Sequence, residues 1–135
     1  MTRRRDSQER FRERYRTPLV DAALIAEREA IGANVGANGY TTVNQADSLV
    51  HHLRLRPGNL LLDIGCGRGW PGLHLAAKSG CRAVLSDLPE TALQSALQRC
   101  DDQALSGRVV VVRASANHLP FPPMTFDAIS HTDTL

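Results

Sequence analysis

The spacing of apolar residues along this chain differs before and after residue 57. Up to that point apolar side chains recur every three or four positions, which predicts helices over 18–30 and from 42 to about 55. After a turn at 57–59, short apolar runs alternate with helical patterns. The runs predict strands over 60–64, 82–86, 109–112 and 126–130, and the patterns between them predict helices over 71–79 and 89–103.

Strands that alternate with helices of this length favour one architecture. They indicate a parallel sheet whose strands are joined by right-handed helical crossovers. The run at 60–64 is apolar almost throughout, which is typical of a strand buried on both faces. We therefore expect an α/β fold with two parts, an N-terminal helical segment over 1–58 and a sheet-containing domain over 59–135.

Composition narrows the class of protein without identifying it. The chain has 135 residues and a net charge of +2, so neither a second large domain nor a strong electrostatic partner is indicated. Seven arginines fall within 1–16, and we interpret them as a solvated terminus, because no nucleic-acid motif follows them. No apolar run is long enough to cross a membrane. Three cysteines without metal-ligand spacing indicate reduced thiols, no metal site and a cytoplasmic location.

Three alternate glycines follow the first predicted strand and precede a predicted helix. Gly65, Gly67 and Gly69 leave backbone N–H groups accessible, so a ligand can approach the main chain closely. Asp63 stands just before them, at the end of a strand predicted to be buried. A buried carboxylate needs a partner, and the ammonium group of a methionine moiety would supply one.

The same glycines allow a second interpretation. Gly67, Gly69 and Gly72 fit the dinucleotide pattern G-x-G-x-x-G, with Asp87 at a distance suited to a ribose. This alternative predicts an NAD(P)-dependent oxidoreductase. It leaves Asp63 without a role, and it places additional residues between the strand and the first glycine of the pattern.

The stretch 62–69, an acidic residue followed by alternate glycines, resembles the first motif of the class I (Rossmann-like) S-adenosylmethionine-dependent methyltransferases. Asp87 after the second strand and the stretches 119–121 and 126–128 resemble later motifs of that family, in the same order. The resemblance covers about 60–135, the N-terminal part of the family's domain. It implies a Rossmann-like parallel sheet with helices on both faces, of which the first four strands are present.

The resemblance also implies a role for each motif residue. Asp63 would receive the methionine amino group, directly or through water, Asp87 would accept hydrogen bonds from both ribose hydroxyls, and Leu88 would pack on the adenine. The residues expected to lie along or close to the cofactor, with Cys66 as a small filler, are Gly65, Cys66, Gly67, Gly69, Ser115, Ala116 and Asn117. Many relatives carry an aspartate at the position of Ser115, so this departure predicts weaker cofactor binding.

The activity implied is methyl transfer from S-adenosylmethionine to a small-molecule acceptor. Such a displacement depends mainly on alignment and needs no obligatory base. His131 and Asp133 follow the fourth strand and are the candidates for one, with His118 as another. The helices before the first strand are expected to cover the cofactor, with Tyr40 near its methionine end.

The sheet of the family has seven strands, and four are predicted here. We expect a truncated fragment of a longer enzyme or a degenerate gene product, in preference to a half-domain completed by a partner chain or dimer that covers the exposed sheet edge. A non-catalytic binding or interaction fragment is therefore the alternative to an enzyme.

Overall fold

A computed structural model describes residues 21–37 and 39–132. The arginine-rich segment at 1–16 and Asp133 lie outside these ranges. The elements in chain order are α1 (Asp21–Ile31), α2 (Val43–His52), β1 (Leu60–Ile64), α3 (Gly72–Ser79), β2 (Arg82–Asp87), α4 (Glu90–Asp102), β3 (Val109–Arg113) and β4 (Ala128–Ser130). The predicted α/β class is confirmed.

The four strands form one parallel sheet in the order β3-β2-β1-β4. From β1 the chain moves outward through β2 to β3, and it then returns to the opposite side of β1 to add β4. In open parallel sheets, ligands bind at the carboxyl ends of the strands on either side of such a reversal. The topology therefore indicates a ligand site at the carboxyl ends of β1 and β4, and the glycine loop begins at the end of β1.

The apolar core lies between α3, α4 and one face of the sheet. Leu61, Leu75 and Leu85 are completely buried, and each such leucine stabilises the fold by roughly 1.5–3 kcal/mol. On the opposite face Val110 and Ile129 remain 57% and 54% exposed. Helices on that second face remain a prediction.

Helix α2 begins with reciprocal hydrogen bonds between Thr42 and Gln45. The Gln45 N–H donates to Thr42 Oγ1 at 3.1 Å, and the Thr42 N–H donates to Gln45 Oε1 at 2.9 Å, which forms a capping box. The helix ends at His52, earlier than predicted, because Arg54 adopts a left-handed conformation with φ 52°. Its apolar pattern continues to Leu55, which is buried after the helix has ended.

Candidate functional site

The glycine loop connects β1 to α3 in a conformation that requires its glycines. Gly65, Gly67 and Gly69 have φ values of 71°, 55° and 102°, a region that residues with a Cβ rarely occupy. The N–H groups of Gly65 and Cys66 donate to the Ser86 carbonyl at 2.8 and 3.0 Å, which holds the start of the loop against the end of β2. The loop is therefore built as a fixed turn at the carboxyl edge of the sheet.

Asp87, the last residue of β2, holds the centre of this loop. Its Oδ2 accepts the Gly67 N–H at 2.8 Å, and its Oδ1 accepts the Leu88 N–H at 2.8 Å. A carboxylate oxygen can accept about two hydrogen bonds. Since the side chain is only partly buried, each oxygen retains the capacity to accept a hydroxyl group of a ligand.

Asp63 is the second carboxylate of the site, and it is 1% exposed. Ser130 Oγ donates to Asp63 Oδ1 at 2.8 Å. The other oxygen, Oδ2, is buried and has no side-chain or other hydrogen-bond partner that meets full geometric criteria among the described residues. Burial raises the pKa of Asp63 to about 7, with a smaller contribution in the same direction from the charge of Asp87. The Ser130 hydroxyl and, to a smaller extent, the backbone N–H of Gly72 act in the opposite direction. This oxygen is suited to a cationic group, because a positive charge would compensate for its lost hydration.

Gly72, in the first turn of α3, allows the helix to approach the sheet beside Asp63. A Cβ at this position would lie 2.5 Å from Leu85 Cδ2 and 2.6 Å from Asp63 Oδ2. Close helix–strand packing is the role of the third glycine in the dinucleotide pattern. The geometry of Gly72 therefore fits both interpretations of the glycines and does not separate them.

The thiol of Cys66 lies inside the loop and is 1% exposed. Burial raises its pKa far above the usual range, and the charges of Asp63 and Asp87 act in the same direction. A thiol in these surroundings is not ionised at neutral pH and does not act as a nucleophile.

The segment between α1 and α2 lies against the glycine loop. Glu27 Oε1 accepts the N–H groups of Val35 and Ala37 at 2.9 and 2.7 Å, which orders the start of this segment. A Cβ on Gly36 would lie 3.1 Å from Arg68 Cδ, so the backbone of the segment and the side chain of the loop are in close contact.

Trp70 anchors the end of the same segment. Its Nε1–H donates to the Thr41 carbonyl at 2.8 Å across 29 residues of sequence. Tyr40 comes just before this anchor and is 87% exposed. Sequence reasoning did not identify Trp70, because its partner is a backbone carbonyl. The one available signal was its position directly after the glycine loop.

A polar cluster fastens α2 to α3. Asp47 Oδ1 lies 2.6 Å from His74 Nε2 and 3.1 Å from Lys78 Nζ, and hydrogen bonds from these two groups lower the pKa of Asp47. The His74 ring also lies 5.1 Å from the Trp70 ring. The helical segment that precedes β1 is thus attached to the helix that follows the glycine loop.

The remaining predicted residues are distributed along the same edge of the sheet. Leu88 and Ser115 are partly buried, whereas Ala116, Asn117, His118 and His131 are exposed. The Ala114 N–H donates to the Asp87 carbonyl at 3.1 Å, which brings the end of β3 next to β2. Asp63, the loop glycines and Asp87 are brought together, whereas the hydrogen bonds of Ser115 are made within its own segment, with the N–H groups of Asn117 and His118.

Two further findings concern the described part of the chain. No group of three or more His, Cys, Asp or Glu side chains within it is placed to hold a metal ion. No helix within it has the length and hydropathy needed to cross a membrane.

A parallel sheet with a glycine loop and two carboxylates at its reversal point has the architecture of nucleotide-binding α/β proteins. Comparison with known proteins gives a narrower class, since a model of the methyltransferase domain family matches residues 61–135. The chain belongs to this family.

Three similar proteins illustrate the match. The 27-O-demethylrifamycin SV methyltransferase of Amycolatopsis mediterranei (strain S699) is 33% identical over 94 residues, which are 70% of this chain and 35% of that protein. The structure of a geranyl diphosphate methyltransferase in complex with GPP and sinefungin superposes with a TM-score of 0.61 at 26% identity, covering 65% of this chain and 33% of the other. A methyltransferase from Geobacter sulfurreducens in complex with S-adenosyl-L-homocysteine gives 0.51 at 27% identity, with coverages of 56% and 30%. The chain therefore spans about a third of the length of these proteins.

Proposed function

We propose that this chain is the cofactor-binding part of an S-adenosylmethionine-dependent methyltransferase that acts on a small organic acceptor. The observation that carries the proposal is the buried Asp63 carboxylate, whose Oδ2 has no partner in the described ranges, beside a glycine loop that is held by a second carboxylate, Asp87. A cofactor with an ammonium group at one end and a ribose at its centre would satisfy both carboxylates.

The residues of the site divide the binding task by their chemistry. Asp63 would compensate the ammonium group, and the two oxygens of Asp87 would accept the ribose hydroxyls while they retain their backbone donors. The loop glycines leave room beside the main chain, and Leu88 offers an apolar surface to the adenine. Ser115 and Asn117, on either side of Ala116, offer neutral polar groups. S-adenosylmethionine, when bound, supplies a methyl group on a sulfonium that is already a good leaving group.

The helical segment over 1–58 is proposed to cover this cofactor, and the domain over 59–135 to bind it. The contacts that support this assignment are those of Gly36 with Arg68 and of Thr41 with Trp70. Both place the segment beside the glycine loop. A covered site excludes water, and the cover also helps to hold the cofactor and its acceptor in alignment.

A small organic acceptor is supported by the acceptors named for similar proteins, a rifamycin derivative and geranyl diphosphate. His131 and Asp133 remain the candidates for a base if the acceptor must lose a proton. Two observations support His131: it directly follows β4 at the carboxyl edge of the sheet, and its side chain is exposed. A cytoplasmic location is proposed because Cys66, Cys81 and Cys100 are free thiols.

Calorimetric titration of the whole 135-residue chain with S-adenosylhomocysteine, S-adenosylmethionine and NAD tests the proposal. We expect saturable binding of the first two and no heat from NAD, and strong weakening in an Asp63→Ala variant. Binding of NAD alone would support the oxidoreductase interpretation instead. Cofactor binding without methyl transfer to any acceptor tested would favour the non-catalytic fragment.

A further inference from the structure

Ser130, the last residue of β4, makes a buried polar contact with the proposed site. Its side chain is 4% exposed, and its hydroxyl donates to Asp63 Oδ1 at 2.8 Å. The two residues are 67 positions apart in sequence, and the parallel pairing of β1 with β4 places them directly side by side. Strand β4 therefore reaches the site through the carboxylate of Asp63.

We propose that Ser130 is a positioning residue of the cofactor site, whose hydroxyl holds Asp63 Oδ1 and so fixes the carboxylate that would meet the cofactor ammonium group. The inference rests on the proposed function, since it deepens the role given to Asp63. Ser130 itself is not placed in contact with the cofactor.

The first argument is geometric. A carboxylate that accepted no hydrogen bond in this buried position could rotate about its Cβ–Cγ bond, and neither oxygen would have a defined direction. One hydroxyl donor on Oδ1 removes this freedom and fixes the position of Oδ2. On its other side Oδ2 lies against Gly72, where even a methyl group would not fit and whose backbone N–H also acts on the carboxylate. The carboxylate is therefore held between β4 and α3.

The second argument concerns charge. The groups that face Asp63 are the carboxylate of Asp87 at the end of β2, the neutral thiol of Cys66 in the loop, Gly72 of α3 and the Ser130 hydroxyl. Among the described residues, no cationic side chain contributes to the pKa shift of Asp63. Two groups favour the ionised form, because a hydrogen bond to a carboxylate stabilises its charge: the Ser130 hydroxyl has the larger effect, and the backbone N–H of Gly72 has a smaller one.

The test is Ser130→Ala in the whole chain, with S-adenosylhomocysteine titrated at intervals from pH 6 to pH 9. Loss of the hydroxyl should raise the pKa of Asp63 by roughly one pH unit. The ionised fraction at pH 7 would then fall from about one half to about one eleventh, so affinity relative to wild type should drop about fivefold. At pH 9 both proteins have Asp63 ionised, and their affinities should differ little.

Two further variants separate positioning from simple loss of structure. Ser130→Thr retains a hydroxyl and should return the midpoint of the pH profile towards that of wild type. Ser79→Ala removes a hydroxyl that donates to the Leu75 carbonyl at 2.6 Å, away from Asp63, and should leave the profile unchanged. If Ser130→Ala does not fold, Ser130→Cys provides the same comparison with a much weaker donor.

A carboxyl ¹³C NMR titration of Asp63 in the free chain gives a readout that needs no ligand. If wild type fails to bind S-adenosylhomocysteine but the Asp63 midpoint still moves upward in Ser130→Ala, the proposed function fails and the action of Ser130 on the carboxylate stands. If wild type binds the ligand and neither midpoint moves in Ser130→Ala, the positioning role is overturned. Equal loss of affinity at pH 6 and pH 9 would overturn it as well.

Discussion

Replacement of Asp87 by asparagine preserves the size of the side chain while removing its charge and one of its two acceptor oxygens. In wild type these oxygens accept the N–H groups of Gly67 and Leu88, both at 2.8 Å. An asparagine can satisfy one of these donors, and its NH₂ group must then face the other. The variant therefore loses one backbone hydrogen bond of the glycine loop and one acceptor for the proposed ribose.

The magnitude follows from these hydrogen bonds. A hydrogen bond to a charged group contributes about 1.5–3 kcal/mol and a neutral one about 0.5–1.5 kcal/mol. If one ribose bond is lost and the other loses its charge assistance, binding weakens by about 3 kcal/mol, which corresponds to a roughly 100-fold rise in Kd. The lost backbone bond should lower the free energy of unfolding by about 1–2 kcal/mol.

Calorimetry with S-adenosylhomocysteine measures the first quantity, and urea unfolding measures the second. Asp127→Asn is the matched control, because Asp127 Oδ2 also accepts a backbone N–H at 2.8 Å, that of Leu60. This contact lies at the amino end of β1, at the opposite edge of the sheet, so Asp127→Asn should change stability without changing affinity. An unchanged Kd in Asp87→Asn, or an equal loss in both variants, would refute the assignment of Asp87.

Three other predictions concern the same region. Gly72→Ala places a Cβ within 2.6 Å of both Leu85 and Asp63, so its urea midpoint should fall by an amount equivalent to about 1–3 kcal/mol; an unchanged midpoint would show that α3 shifts freely. The folded-state pKa of Asp63 lies above its unfolded value, so stability falls as pH rises between about 4 and about 7. Relative to Asp63→Asn, the wild type should lose about 2–3 kcal/mol of unfolding free energy from pH 5 to pH 8. Parallel pH curves for the two proteins would contradict this. Trp70→Phe removes the donor to Thr41 at a cost of about 1 kcal/mol, and amide exchange over 39–43 should accelerate; unaltered exchange would mean that the segment is held by other contacts.

The sheet was predictable because its signals are local. The apolar run at 60–64 coincides with β1, and the alternation of strands with helices predicted the parallel sheet that is observed. The fourth strand is shorter than predicted, at Ala128–Ser130. The Asp127 N–H donates to the Leu60 carbonyl at 2.9 Å, but the Leu60 N–H donates to the Asp127 side chain instead of to a backbone carbonyl, so regular pairing with β1 begins at Ala128.

The polar contacts of the site were predictable in part. A carboxylate at the end of a buried strand, followed by glycines, indicated that Asp63 would be buried and in need of a partner. Its partner Ser130 was not predictable, because the two residues become neighbours only through the pairing of β1 with β4. Trp70 and Thr41 were missed for the same reason, since 29 residues separate them and a backbone carbonyl leaves no mark in the sequence.

Asp63 connects the energetics of the fold to its proposed use. A buried carboxylate with one unsatisfied oxygen lowers the stability of the chain at neutral pH, and an apolar residue at this position of β1 would avoid that loss. The surrounding structure nevertheless positions the carboxylate closely, with Ser130 on one side and Gly72 on the other. A cationic ligand would relieve the penalty only when it binds, so part of the destabilisation of the free protein becomes affinity for the ligand. On the proposed function, the group that reduces the stability of the free chain is thus the same group that would make binding selective for a positive charge.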